Sequence, residues 1–321
     1  MLFKQGSVQL VSTTHIVIGL DAGGSKTHLR AECPGWSAPV EHRGPGANPN
    51  RSGMTEAAGV LVDLVDRVLA TRPSAERIAI CAGVSGAGRD EEQEALSSAI
   101  REALAHSSRT IHVEVVHDAL IALDAAYDAD SGLIVIAGTG SVALARSTDE
   151  ALFRVGGWGH LLGDPGSGYA IGQAGLRSVA AAFDGGEETT VRGRLREQFG
   201  IADRHQLIHS VYQDGLSMQD VAPLVVAAAA EGDAVADRIV HDAAEGLTEQ
   251  VSWLVQRPET IAPRITLLGG MVQNEHYDRV LRRHLHDHFP DWSVQQLQTE
   301  PVTGALRRAR RLLRRGVGCS P

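Results

Sequence analysis

The segment Gly19-Leu20-Asp21-Ala22-Gly23-Gly24-Ser25-Lys26-Thr27 sets a carboxylate and two glycines into a turn between strand-like runs, Ile16-Val17-Ile18 and His28 to Cys33. Without a Cβ, Gly23 and Gly24 allow a phosphate to come close to bare N–H groups. Asp21 beside them can hold a hydrated Mg²⁺, an ion that keeps several of its waters. The combination points to a nucleotide triphosphate. It is neither of two familiar phosphate motifs: Lys26 follows Ser25, whereas a P-loop ends Gly-Lys-Ser/Thr, and no G-x-G-x-x-G opens a helix here. Alone, the segment reads equally as an ordinary Gly-rich hairpin. Lys26 reads equally as a phosphate lysine or as a hairpin residue facing solvent.

Other segments carry compatible chemistry. His117-Asp118-Ala119 closes the run Val113 to Val116. A carboxylate there can take the proton of a hydroxyl that attacks a γ-phosphate; from the residues alone a helix N-cap is the preferred reading, because Asp is among the best residues for that position. Gly138-Thr139-Gly140-Ser141 follows the apolar run Leu133 to Ala137 and forms a second Gly-rich turn, with the Thr139 hydroxyl as a further donor. The block from Gly156 to Gly168 crowds glycines around Trp158, His160 and Asp164. Asp164 is its firmest candidate ligand, whereas Trp158 reads as well as core packing and His160 as a structural histidine. Near the C-terminus, Ile265-Thr266-Leu267-Leu268-Gly269-Gly270 ends on glycines that would let an adenine ring lie against the backbone, or that simply turn the chain into the next helix.

In this order the motifs resemble the N-acetylglucosamine kinase branch of the BadF/BadG/BcrA/BcrD ATPase family, within the sugar kinase, Hsp70 and actin superfamily. The resemblance runs from about Val17 to Arg310, and its most specific element is G-G-W-G-H-x-x-G-D-x-G-S. It implies an α/β fold of two actin-like (ribonuclease H-like) domains, with an interdomain cleft and a helical insertion in the second. The domains would be 1–125, joined by a returning helix at about 303–316, and 126–302. It also implies ATP with Mg²⁺ near Asp21, and phosphates held by Gly23, Gly24, Ser25, Lys26, Thr27, Gly138, Thr139 and Gly140. Gly269 and Gly270 would lie at the adenosine, and Asp118 would be the catalytic base. An amino sugar would meet Asn48, Asp118, Ser141, Gly157, Trp158, Gly159, His160 and Asp164, although Asn48 in Gly44-Pro45-Gly46-Ala47-Asn48 also suits a plain turn.

Two departures matter. The mammalian N-acetylglucosamine kinase has Asn after its G-T-G-S run where this chain has Val142, which removes an amide from the sugar and leaves the substituent open. That relative also has Glu where Asp21 stands. The expected activity is phosphorylation of a hydroxyl of N-acetylglucosamine, glucosamine or a close relative. The alternative within the family is an ATPase that activates a partner 2-hydroxyacyl-CoA dehydratase or reductase. It would need cysteine ligands for an iron–sulfur cluster, and Cys33, Cys81 and Cys319 lack the usual pattern. A sugar-sensing regulator would need a DNA-binding module, and no helix-turn-helix precedes residue 15.

These residues need a scaffold of alternating strands and helices. Strands are expected at 15–22, 27–33, 77–84 and 112–117, with helices at 51–71 and 90–105 between them. A similar theme restarts at 132–146, so a duplicated core is expected. From Ser167 to Gln256 the chain reads as mainly helical, broken near Gly185-Gly186 and Gly232. A strand at 264–270, a helix at 275–288, a strand at 292–298 and a helix at 303–315 follow.

Composition sets the outer limits. At 321 residues the chain suits two domains, and 43% hydrophobic with 21% charged residues is a globular balance. A net charge of −9 argues against a nucleic-acid partner. Arg307, Arg308, Arg310, Arg311, Arg314 and Arg315 read as a solvated helix face, and Asp124, Asp128 and Asp130 as helix surface and loop. Isolated cysteines, no signal-like apolar stretch in 1–14 and no membrane-length apolar run point to a cytoplasmic protein without a membrane partner. The resemblance also implies a homodimer, a state common in that family.

Overall fold

The computed structural model describes residues 15–105, 109–257 and 260–315. The N-terminal stretch read for a leader and Cys319 lie outside them. The chain forms two units, one made of the described residues up to Asp128 and from Thr299 onward, the other of Ala129–Gln298.

In the first unit, β1 (His15–Ala22), β2 (Lys26–Glu32), β3 (Val40–Pro45), β4 (Arg77–Val84) and β5 (Thr110–His117) form one sheet in the order β3-β2-β1-β4-β5. β1, β2 and β3 are antiparallel neighbours, while β4 and β5 run parallel to β1. The central strands are apolar almost throughout because both faces are covered. Ile16, Ile18, Leu20, Ile78 and Ile80 pack with Leu61, Leu64 and Val68 of α2 (Met54–Ala70) and with Leu96 and Ile100 of α3 (Asp90–Leu104). Val17, Ala79, Cys81 and Val116 point to the other face. They meet Ile121 of α4 (Asp118–Tyr127) and Ala305, Leu306 and Ala309 of the last helix, Pro301–Arg315. Two short features escaped the sequence reading here: the edge strand β3, and a break at Gly53 (φ +84°) that separates a single turn, α1 (Pro49–Ser52), from α2.

The arginines of that last helix correct the expectation of a solvated face. Arg308 makes a paired contact to Glu114 (2.9 and 2.8 Å) and reaches the fully buried Asp124 at 3.2 Å. Arg311 bonds Asp124 at 2.6 Å and also pairs with Asp128, and Arg310 pairs with Glu32. Asp124 is therefore core rather than helix surface, because the helix that neutralises it comes from the far end of the chain.

The second unit repeats the plan. β6 (Gly132–Ala137), β7 (Ser141–Arg146), β8 (Leu152–Gly156), β9 (Arg264–Leu268) and β10 (Ser293–Gln296) take the order β10-β9-β6-β7-β8. Again three strands are antiparallel and two are parallel additions. Five helices, α5 (Gly168–Phe183), α6 (Val191–Phe199), α7 (Arg204–Tyr212), α8 (Met218–Ala230) and α9 (Ala234–Val255), lie between β8 and β9, and α10 (Glu275–His288) sits between β9 and β10. The last helix is α11. The sheet order bears out two α/β units with a helical insertion in the second.

Candidate active site

Asp21 stands at the C-terminal end of β1. Gly23 N donates to Lys26 O at 2.9 Å and closes the turn into β2, and Ala47 N donates to Gly23 O at 3.1 Å. The 46–48 loop presses so closely on this turn that a Cβ on Gly46 would overlap the Gly24 carbonyl. Ser25 and Lys26 are exposed, whereas Thr27 is buried and its hydroxyl donates to Pro45 O at 2.7 Å. The Thr27 side chain thus serves the sheet, leaving the turn's donors to Gly23, Gly24, Ser25 and Lys26.

Asp118 opens α4 as its first residue, and His117 rather than Asp118 holds the N-cap position. The Asp118 Oδ1 accepts from Ala119 N at 2.8 Å and lies 3.0 Å from His117 Nδ1. Burial works to raise the Asp118 pKa, but hydrogen bonds from His117, the Ala119 N–H and the Ser85 hydroxyl, with the charge of His117, outweigh it and hold the carboxyl below its ordinary range. Asp21 behaves oppositely. Burial first, then the charges of Asp118 and Glu300, push it up to about 6 against the pull of Lys26.

Asn48 joins this group from the loop. Its Oδ1 accepts from Asn50 N at 2.9 Å and caps α1, while its Nδ2 lies 3.5 Å from Ser85 Oγ. Ser85 carried no signal in the sequence; it becomes meaningful only because β4 runs parallel to β1, with Gly83 in register with Asp21. Strand ends on one edge of a parallel sheet are where ligands bind in open α/β folds.

In the second unit, Gly138 N donates to Gly140 O at 2.9 Å, and Gly168 N and Tyr169 N at the start of α5 donate to Gly138 O (2.8 Å) and Thr139 O (3.3 Å). These bonds tie the turn to the head of α5 and leave Thr139 exposed on it. Gly269 (φ +109°) has no room for a side chain against the Ala137 carbonyl, while Gly270 is open. A Cβ on Gly138 would stand 3.8 Å from Gly270 N, so the turns after β6 and β9 lie side by side. That leaves exposed backbone for a flat ring or a phosphate.

Asp164 is buried (7% exposed), and its Oδ1 has no hydrogen-bond partner among the described residues. Burial raises its pKa, opposed by the N–H groups of Ser141 and Gly159 and by the charges of His160 and Arg154. A buried carboxylate oxygen without a donor calls for one from a ligand. Its other oxygen packs where Gly140 leaves space, a Cβ there meeting Oδ2 at 2.8 Å. Ser141 Oγ donates to Pro165 O at 2.7 Å, so that hydroxyl holds the loop instead of pointing outward. Core packing is excluded for Trp158, which is 75% exposed. His160 is exposed too, its ring 4.4 Å from that of Tyr169. Gly157 (φ +66°) and Gly159 (φ +87°) shape the same loop. Val142 is buried in β7.

The residues fit Mg²⁺ with a nucleotide. Among the described residues no cluster of three or more His, Cys, Asp or Glu could cage a metal. A lone carboxylate beside a phosphate turn instead suits an ion that retains its waters and is completed by phosphate oxygens. Crowding against Asp118 leaves Asp21 short of positive charge, which such an ion would supply.

A Clostridium acetobutylicum protein named N-acetylmuramic acid/N-acetylglucosamine kinase is 33% identical over 305 residues, covering 92% of this chain and 98% of that one. The N-acetyl-D-glucosamine kinase of Dictyostelium discoideum is 27% identical over 311 residues, covering 90% and 96%. The crystal structure of a Chromobacterium violaceum protein, provisionally named an N-acetylglucosamine kinase, superposes with a TM-score of 0.71 over 92% of this chain and 98% of that one. At 24% identity it speaks for the shared actin-like fold alone. The model of the BadF/BadG/BcrA/BcrD ATPase family matches residues 18–307, and the chain belongs to that family.

Proposed function

We propose that this chain is an ATP-dependent kinase that phosphorylates a hydroxyl of an amino sugar: N-acetylglucosamine, N-acetylmuramic acid, glucosamine or a close relative. The observation that carries the reading is Asp118, a carboxylate at the head of α4 that neighbouring donors keep ionised. The hydroxyl oxygen attacks the γ-phosphorus, the bond to the β,γ-bridging oxygen breaks, and the hydroxyl proton passes to Asp118. ADP and the sugar phosphate are the products.

The other residues of the reading divide the remaining work. Asp21 would hold Mg²⁺ through its waters, and the ion would neutralise charge on the phosphates. Gly23, Gly24, Ser25 and Lys26 donate to one part of the triphosphate, and Gly138, Thr139 and Gly140 to another. Gly269 and Gly270 accept the adenosine. Asp164 takes a sugar hydroxyl on its unpartnered oxygen, with Asn48, Gly157, Trp158, Gly159 and His160 as further contacts. The names of the two curated relatives support an amino sugar as acceptor.

The test is ADP release with Mg²⁺–ATP across N-acetylglucosamine, N-acetylmuramic acid, glucosamine, N-acetylmannosamine and glucose. Turnover on an amino sugar, lost in Asp118→Asn, is the expected result. Sugar-independent ADP release, or none with any of these, sinks the reading.

A further inference from the structure

We propose that His117 is a positioning residue for the phosphoryl-transfer base: it donates from Nδ1 to Asp118 Oδ1 and so leaves Oδ2 to meet the acceptor hydroxyl. The inference rests on the kinase reading above and adds a residue and a specific oxygen to it.

Three atoms form a tight triangle at the start of α4. His117 Nδ1 lies 3.0 Å from Asp118 Oδ1 and 3.1 Å from Ala119 N, and Ala119 N lies 2.8 Å from Asp118 Oδ1. Two hydrogen placements are available. With Nδ1 bare, two acceptors, the ring lone pair and a carboxylate oxygen, face each other and share one N–H. With Nδ1 protonated, the ring and the Ala119 N–H both donate to Oδ1, and every group is satisfied. The second is stronger because the acceptor is charged. The geometry therefore selects the Nδ1–H tautomer, although a histidine at an N-cap could instead accept from the helix.

The consequence falls on the other carboxylate oxygen. Two donors load Oδ1, and the Ser85 hydroxyl braces the group from the end of β4. The carboxylate plane is thereby fixed, and Oδ2 is the oxygen with capacity left for a proton. A loose phosphoryl-transfer transition state asks little basicity of its base and much placement. Lowering the basicity of Asp118 in exchange for orientation is then a favourable trade.

Two substitutions separate positioning from helix capping. His117→Asp keeps an excellent cap but removes the donor and adds a negative charge beside Asp118. His117→Asn keeps a cap and, through its amide, a donor. For His117→Asp we expect an unchanged melting temperature and kcat lower by about 10- to 100-fold. The KM for ATP should stay within about threefold, and the acid limb of the kcat–pH profile should move to higher pH. His117→Asn should recover kcat to within about threefold of wild type. Equal loss in both variants, or no loss in His117→Asp, would overturn the proposal. A second readout is independent of turnover: ¹⁵N spectra of histidine-labelled protein should show His117 as the Nδ1–H tautomer, and an Nε2–H tautomer would overturn it too. If the wild type shows no sugar-dependent ADP release, the kinase reading fails, while the tautomer still decides the His117–Asp118 contact.

Discussion

Asp21 and Asp118 oppose each other electrostatically: the charge on Asp118 helps push the Asp21 pKa up to about 6, while Asp118 itself is held low by its donors. One carboxylate is thus stored in an unfavourable state beside the other. Its folded pKa exceeds the unfolded value of 3.8, so Asp21 contributes fully to stability below about pH 4 and loses that contribution as pH rises through 6. The cost at neutral pH is about 2 kcal/mol after allowance for partial exposure.

Replacing Asp21 by Asn should therefore stabilise the ligand-free protein by about 1–2 kcal/mol at pH 7.5 and by almost nothing at pH 4. Mg²⁺–ATP should raise the melting temperature of the wild type, and the same variant should lose that rise. Thermal unfolding at the two pH values, with and without Mg²⁺–ATP, checks both halves. Parallel pH dependence in the two proteins would remove the basis for the claim.

Asp118→Asn should lower kcat by about 10²–10⁴-fold with little change in the KM for the sugar. The amide can still accept from the Ala119 N–H, so the melting temperature should stay close to that of the wild type. A variant that unfolds early would instead mark Asp118 as chiefly structural.

Asp124 is fully buried between Arg308 and Arg311. Asp124→Ala should destabilise the first unit by about 3 kcal/mol, because two guanidiniums lose a desolvated partner, Arg308 keeping Glu114 and Arg311 keeping Asp128. Urea unfolding followed by circular dichroism measures this. A loss under 1 kcal/mol, on the scale of an exposed pair, would place the residue in effective contact with water.

Gly304 and Gly59 make an internal contrast. A Cβ on Gly304 would overlap the Ile121 carbonyl and come within 2.5 Å of Ala125 N, whereas one on Gly59, exposed on α2, meets nothing within 4 Å. Gly304→Ala should cost at least about 1–3 kcal/mol by forcing α11 off α4. Gly59→Ala should gain about 0.5–1 kcal/mol from helix propensity alone. Opposite signs in one denaturation series are the expected outcome.

Much of this architecture was legible in the residues. The buried strands of both units stand out as apolar runs because helices cover both faces, and the Gly-rich turns after β1, β6 and β9 announce themselves by composition. The edge strands Val40–Pro45 and Leu152–Gly156 do not, since half of each strand faces water and its pairing is set by a neighbour. The roles of Ser85 and Asp124 depended on partners brought together by sheet order or from almost 200 positions away. Thr27 and Ser141 show the reverse difficulty: a hydroxyl in a phosphate-like motif can be consumed by a nearby carbonyl, and only the geometry reveals it.

The return of α11 to the first sheet also bears on synthesis at the ribosome. Ala129–Gln298 holds all of the second unit in one continuous stretch, whereas the face formed by Val17, Ala79, Cys81 and Val116 waits for Ala305, Leu306 and Ala309. During translation the nascent chain carries that greasy surface until residues past 309 have left the exit tunnel. The second unit can close first, and the first locks only when the final helix arrives.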